Sequence, residues 1–254
     1  MSQSETIRLS VVIPAFNEER RLPRTLEEIT RYLGRQSYSA EVVVADDGST
    51  DATARIVQER DRNVVPVRLV THPDGRNHGK GAAVRLGMLA ALGRFRLFTD
   101  ADNSTTIDHV ERFWPFFDEG VDVVIGSRGM KESVLSVSQP WYRRIAGEGG
   151  NLIIRALAVP GVADTQAGFK MLTAACAESL FPRLTIDRWG FDVEMLAVAR
   201  HLGYRIREVP ITWRNDPEGK VTLMTYFEVL GEVWHVRGNL KAGVYDSPVK
   251  SANR

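Results

Sequence analysis

The sequence predicts an α/β fold: a Rossmann-like, mainly parallel central sheet with helices on both faces. Three observations support this. From Leu9 to Arg128, short apolar runs alternate regularly with segments of helical spacing. The apolar runs are continuous rather than alternating, as expected of strands buried on both faces. The runs ending near residues 15, 45 and 99 are each followed by acidic residues, where ligands bind in open α/β sheets.

Leu9-Ser-Val-Val-Ile-Pro-Ala15 reads as the first strand and ends in a turn. Residues 22–33 have helical spacing, with Pro23 tolerated in the first turn. Residues 41–45 form a second strand, which runs into Asp46-Asp-Gly-Ser-Thr-Asp51. There a Gly turn and Ser/Thr caps open a helix over 52–60. A third strand follows at 64–70. A polar loop then leads to Gly79-Lys-Gly81 and a helix reaching about residue 92. Phe95-Arg-Leu-Phe-Thr99 is the central strand and stops at Asp100-Ala-Asp102. A helix over 107–118 and a strand over 121–128 complete the regular half.

The second half is less regular. Residues 130–139 are polar, lack apolar periodicity and are expected to be mobile. Residues 141–157 read as a helix carrying Arg143 and Arg144. Asp164-Thr-Gln-Ala-Gly-Phe-Lys170 reads as a turn-rich segment between apolar stretches, and 173–180 as a helix. Residues 191–202 form a helix with Asp192 and Glu194 in its first turn. Residues 204–213 alternate as a strand, and 215–220 form a loop. The last helix, 223–240, has an expected apolar face of Leu223, Tyr226, Phe227, Leu230, Val233 and Trp234. No repeat, low-complexity segment or linker divides the chain. It reads as a single domain over 1–254, with 1–7 and 246–254 expected to be disordered.

Composition narrows the function classes. A 43% hydrophobic, 26% charged chain of 254 residues is ordinary for a soluble globular protein. A net charge of +1 gives no general field for nucleic acid. The single cysteine, Cys176, excludes an internal disulfide and fits a reducing compartment. No apolar run reaches the ~18 residues of a membrane span, and residues 1–6 lack a signal-peptide core. A cytoplasmic location follows as an expectation. Gly75-Arg-Asn-His-Gly-Lys80 is one residue short of a phosphate-binding P-loop, and Gly81 replaces its Ser or Thr. Gly79-Lys-Gly-Ala-Ala-Val84 lacks the third glycine of a dinucleotide fingerprint. The five histidines show no metal-ligand spacing, and no Gly-x-Ser-x-Gly elbow supports a serine hydrolase.

Two carboxylates two residues apart after a strand point the same way and repel. A hard divalent cation, Mg²⁺ or Mn²⁺, relieves that repulsion and keeps positions open for phosphate oxygens. Glu18, Asp46, Asp47, Asp100 and Asp102 all lie just past predicted strands and can line one crevice.

These residues also carry a resemblance. Val11-Val-Ile-Pro-Ala-Phe-Asn-Glu18, Ala45-Asp-Asp-Gly-Ser-Thr-Asp51, Asn77-His-Gly-Lys-Gly-Ala-Ala-Val84, Asp100-Ala-Asp102 and Val124-Ile-Gly-Ser-Arg128 occur in order. The series resembles the family 2 glycosyltransferases of GT-A fold, and within them the polyprenyl-phosphate hexosyl synthases. Asp164-Thr-Gln-Ala-Gly-Phe-Lys170, Arg188-Trp-Gly-Phe-Asp-Val-Glu194 and Glu218-Gly-Lys220 are similar to segments of dolichyl-phosphate β-glucosyltransferases. The matches span Leu9 to about Leu240. Eukaryotic members carry an N-terminal membrane helix that this chain lacks, which argues against integral anchoring. Ala167 stands where Cys is common, and Asn103 replaces a frequent Gly.

The resemblance implies an inverting, metal-dependent transfer of glucose from UDP-glucose to a polyprenyl phosphate. GDP-mannose as donor and a non-lipid acceptor are the alternatives. It implies that Pro14, Ala15, Phe16 and Glu18 frame the base and ribose, with Asp46 on the base and Asp47 on the ribose side. Asp102 would bind the metal directly, assisted by Asp100 on the sugar side. Lys80 and Arg128 would lie near the donor and acceptor phosphates. Gln166 and Lys170 would shape the sugar or acceptor pocket, with Asp192 and Glu194 nearby. Lys220 would close over the diphosphate from a flexible loop. The catalytic set is then Asp100, Asp102, Arg128 and Lys220. A phosphate nucleophile is already ionised, so no strong base is required; a hydroxyl acceptor would need one, with Asp192 or Asp164 as candidates. A lipid acceptor implies peripheral association with the cytoplasmic face of a membrane, through the helices at 141–157 and 223–240. A homo-oligomer is compatible with the sequence.

Overall fold

The protein is described by a computed structural model over residues 6–60, 65–135, 159–214 and 223–246. Strands β1 (Leu9–Ala15), β2 (Ala40–Asp46), β3 (Val67–Thr71), β4 (Phe95–Thr99) and β5 (Val123–Ser127) appear at the expected places. With β7 (Phe169–Thr173) and β8 (Ile206–Pro210) they make a seven-stranded sheet in the order β3-β2-β1-β4-β7-β5-β8. A small second sheet pairs β6 (Val134–Leu135) with β9 (Thr212–Trp213).

The strand period of two distributes each strand over two cores. Leu9, Val11 and Ile13 join Val42, Val44, Leu97, Val124 and Met171 on one face. Val12, Val43, Phe98, Val123, Ile125 and Leu172 join the other. Helix α1 (Leu22–Leu33) covers the first face with Leu22, Leu26, Ile29 and Leu33, all buried one or two turns apart. Helices α3 (Lys80–Ala90), α5 (Ala174–Leu180), α6 (Phe191–His201) and α7 (Leu223–Lys241) contribute to the second. Helix α3 lies close against β1. A Cβ on Gly87 would fall 2.4 Å from Val12 Cγ1, so only glycine permits this approach. The short α2 (Thr53–Gln58) packs beside β3.

The seven-stranded sheet is mainly parallel, as expected: four of its six pairings are parallel, and β7 runs antiparallel to both β4 and β5. Asp164 meets Arg128 at the carboxyl end of β5, so the chain re-enters the sheet from that end and must run the other way. Three expectations are corrected. The helix expected over 107–118 is split into a 3₁₀ turn (Ile107–Arg112) and α4 (Trp114–Asp118). Pro115 explains the break: it has no N–H and its ring clashes with the carbonyl four residues back. Residues 130–135 are anchored, not free. Ser133 Oγ donates to the Ser127 carbonyl at 2.7 Å, and Val134 pairs with Thr212. Finally, α7 packs Leu230 and Val233 on the core as expected, together with Val229 and Val236, but leaves Trp234 62% exposed. Residues 136–139, the helix expected over 141–157, the loop at 215–220 with Lys220, and the terminal segments 1–5 and 247–254 lie outside the described residues.

Candidate active site

Strand order reverses between β1 and β4, with β2 and β3 on one side and β7, β5 and β8 on the other. This is the switch point at which open α/β sheets bind ligands, beyond the carboxyl ends of the strands. Pro14 and Ala15 end β1, Asp46 ends β2, and Asp100 follows β4 directly.

Two loops are clasped at the β1–β2 end. Asn17, at φ 53, donates its N–H to Ser49 Oγ and accepts from the Thr50 N–H, each at 2.9 Å. The Glu18 N–H donates to Thr53 Oγ1 at 2.8 Å, and Glu19 accepts from the Ala52 N–H at 3.0 Å. Phe16 is left 37% exposed at the rim. The Glu18 carboxylate takes both arms of the Arg21 guanidinium, at 2.8 and 3.2 Å. Asp46 receives the Ser49 N–H on both oxygens at 3.3 Å. Asp47 accepts from Asn77 Nδ2, the His78 N–H and the Gly79 N–H, at 2.7–2.9 Å. It thereby ties the end of β2 to the loop that delivers Lys80. Burial pushes its carboxyl up despite these donors.

The charged centre lies at the end of β4. Lys80 Nζ meets Asp100 Oδ1 at 2.6 Å. Burial works against the lysine charge, but Asp100 and Asp192 outweigh it and hold its pKa above the ordinary value. Asp102 accepts from the Ser104 N–H at 2.9 Å, and Thr25 Oγ1 on α1 donates to the intervening Ala101 carbonyl at 2.7 Å. Burial and the neighbouring Asp100 charge raise the Asp102 carboxyl. Arg128 grips Asp164 in a two-pronged pair, Nε at 2.7 Å and Nη2 at 2.9 Å, and also reaches the Gln166 carbonyl at 3.3 Å. Glu208 fixes that segment by accepting from the Ala163 and Asp164 N–H groups. Lys170, fully buried in β7, donates to Asp192 and to the Ala167 carbonyl. Arg128 feels the charges of Asp100 and Asp192 as well as Asp164, so these groups form one cluster.

The fold therefore assembles Lys80, Asp100, Asp102, Arg128, Asp164, Gln166, Lys170 and Asp192. Glu194 is not part of it. Residues two apart on a helix point to nearly opposite sides, and Glu194 is fully buried on the other side of α6. There it accepts from the Thr185 and Ile186 N–H groups and from Tyr245 Oη at 2.7 Å. Three residues not singled out from sequence join the site. Trp189 places its ring 5.5 Å from Lys80 Nζ, and Trp213 its ring 5.4 Å from the Arg128 guanidinium carbon. Gly168 faces the Asp100 carboxylate. Trp189 and Gly168 lie within segments already read as functional, whereas Trp213 ends a stretch read only as a strand.

Asp164 offers a prediction about stability. Burial disfavours its charge, but Arg128 overrides this and holds the carboxyl below its usual range. Its contribution should be complete above about pH 4, the unfolded value. It should then be lost as pH falls through the lower folded value. Thermal midpoints from pH 7 to pH 3 should show wild type converging on Asp164→Asn below pH 4. A constant gap across that range would contradict this account.

Beyond the strand ends at the switch point of this open sheet, paired carboxylates are gathered with a lysine and an arginine, the place where α/β proteins bind their ligands. Residues 10–172 match Glycosyl transferase family 2, and the chain belongs to that family. It is 35% identical over 239 residues to dolichyl-phosphate beta-glucosyltransferase of Drosophila melanogaster, covering 87% of this chain and 72% of that protein. It is 36% identical over 234 residues to the Mus musculus protein of the same name, covering 86% and 71%. Among solved structures, it is similar to glucosyl-3-phosphoglycerate synthase from Mycobacterium tuberculosis in complex with Mn²⁺, UDP and phosphoglyceric acid. That match has a TM-score of 0.60 at 20% identity and covers 96% of this chain and 80% of the other. The fold is the GT-A fold of these glycosyltransferases.

Proposed function

We propose that the chain transfers glucose from UDP-glucose to a polyprenyl phosphate of dolichyl type, with inversion at the sugar carbon. The names of the relatives support the sugar and the acceptor class. One structural observation favours a phosphate acceptor over a hydroxyl. The two carboxylates that could deprotonate a hydroxyl are buried and already engaged: Arg128 holds the Asp164 carboxyl low, and Asp192 is closed off from water against Lys170. A phosphate oxygen is ionised at neutral pH and needs positioning rather than a base.

The residues fit a divalent cation. Asp100 and Asp102 offer hard oxygen donors, and the charge of one raises the carboxyl of the other. Among the described residues no group of three His, Cys, Asp or Glu side chains is arranged to hold a metal. Asp100 and Asp102 would supply two carboxylates and leave the remaining positions to phosphate and water. Mg²⁺ or Mn²⁺ bound there would act as a Lewis acid toward the departing diphosphate. Lys80 adds a cation beside the same carboxylates. Arg128 has its Nε and Nη2 donors engaged by Asp164 and the Gln166 carbonyl, so it would offer its charge and its Nη1 donors to a phosphate. Lys220 is proposed to close over the diphosphate from its loop. Turnover against a panel of UDP- and GDP-sugars with a short-chain polyprenyl phosphate tests the reading. Activity confined to GDP-mannose, or to a non-lipid acceptor, would overturn it.

Such an acceptor is met at a bilayer surface. Among the described residues no helix is long and apolar enough to cross a membrane. Exposed Trp234 and Lys241 on α7 suit an interface instead. Each basic residue near anionic lipid contributes roughly 1 kcal/mol, so binding should be weak and salt-sensitive. Liposome flotation should recover the protein with anionic vesicles at low salt and lose it at high salt. Absence at low salt, with normal turnover on membrane-held acceptor, would remove docking from the proposal.

A further inference from the structure

We propose that Gly168 is a positioning residue of this site: its missing side chain forms the slot that holds the Asp100 carboxylate against Lys80. A Cβ at 168 would fall 1.9 Å from Asp100 Oδ2, 2.6 Å from Cγ and 3.1 Å from Oδ1. Its three nearest atoms all belong to that one carboxylate. The backbone at 168 is outside the left-handed region, so space rather than conformation demands glycine.

The surroundings leave one way to relieve a methyl group. Gly168 lies between Ala167 and Phe169, at 0% and 1% exposure, and leads directly into β7. The Ala167 carbonyl is held by Lys170, and the Phe169 ring packs edge-on against Phe113 and His109. Antiparallel register sets Thr99 opposite Phe169, so the next pair brings 100 and 168 together. With the strand pinned, the carboxylate is the part that can move. It is confined on the other side by Lys80, 2.6 Å from Oδ1. A Cβ at 168 therefore rotates Asp100 off Lys80 and changes the spacing of the acid pair.

This inference rests on the proposed role of Asp100 in transfer, but its physical core is testable apart from it. Thermal midpoints should be measured for wild type, Gly168→Ala, Asp100→Ala and the double variant. Gly168→Ala should lower the midpoint in the wild-type background and leave it unchanged in the Asp100→Ala background, where the collision partner is gone. Equal losses in both backgrounds would overturn the slot. In parallel, Mn²⁺ affinity should be measured with UDP present, and turnover with UDP-glucose and polyprenyl phosphate. Gly168→Ala should weaken Mn²⁺ binding and lower kcat roughly 100-fold, the scale expected for a displacement near 1 Å. The KM for the acceptor should stay unchanged. Wild-type Mn²⁺ affinity in Gly168→Ala would overturn the positioning role. An inactive wild type would instead sink the proposed reaction, while the midpoint cycle still decides the slot.

Discussion

Replacing Asp102 with Asn should lower kcat by about three orders of magnitude and leave the fold intact. The fold survives because Asn keeps the oxygen that accepts from the Ser104 N–H, the bond that shapes this turn. The Thr25 bond to the Ala101 carbonyl is untouched as well. What is lost is the charge. A cation that stabilises a departing diphosphate contributes several kcal/mol to the transition state. At about 1.4 kcal/mol per factor of ten, that corresponds to roughly 10³ in rate. The remaining Asp100 is engaged by Lys80 and is a poorer ligand on its own. Turnover across a Mn²⁺ titration, with circular dichroism melts of both proteins, separates the two effects. Saturating Mn²⁺ should not rescue the variant, and wild type should lose activity in excess EDTA. Full activity in EDTA would remove the metal from the mechanism.

Much of the sheet was legible because its strands are continuous apolar runs that end in turns. Leu9–Ala15 and Phe95–Thr99 are found where apolar periodicity set them. The acids beyond them gather at the switch point, since position beyond a parallel strand decides this before any side chain is placed. Strand β7 was hidden by what precedes it. Phe169-Lys-Met-Leu-Thr173 has the same pattern as β4, Phe95-Arg-Leu-Phe-Thr99, but its first two residues close the segment 164–170, whose Thr-Gln-Ala-Gly run reads as turn. Only the tertiary partner, Asp192 from α6, makes a buried Lys170 tolerable. The direction of β7 was equally hidden, because it depends on Arg128 drawing the chain back to the end of β5.

The roles of individual acids were less legible than their presence. Asp47 looks from sequence like a ligand contact, yet its oxygens are taken up by the loop at 77–79. Glu194 shares a segment with Asp192, but helical geometry sends it to Thr185, Ile186 and Tyr245. Tyr245, 51 residues further on, could not be seen as its partner from local spacing. Gly168 lies in the segment Asp164–Lys170, and nothing in a sequence says which side chain a glycine makes room for.

The buried pair of Lys170 and Asp192 should produce the largest stability effects in the molecule, with opposite pH slopes for its two halves. Both side chains are almost wholly removed from water, at 0% and 5% exposure. Burial depresses the Lys170 pKa and raises that of Asp192, while each partner opposes the shift of the other. Asp192→Ala strands an ammonium in the core, at a cost of about 3–5 kcal/mol. Without its partner, the lysine pKa falls further below its unfolded value. The unfolded chain then binds more protons, so stability should rise with pH between those two values. Lys170→Met strands a carboxylate that can take up a proton. The Asp192 pKa climbs further, the native state binds the extra proton, and stability should fall as pH rises through the raised value. The double variant Lys170→Met/Asp192→Leu removes both charges and should be more stable than Asp192→Ala alone, because no unpaired charge of the pair remains, although the Ala167 carbonyl loses its Lys170 donor. Urea denaturation of the three variants from about pH 4, the unfolded carboxylate value, to pH 9 reads all of this. Parallel pH slopes in the two single variants, or strict additivity in the double, would show that the pair is not the electrostatic unit its burial implies.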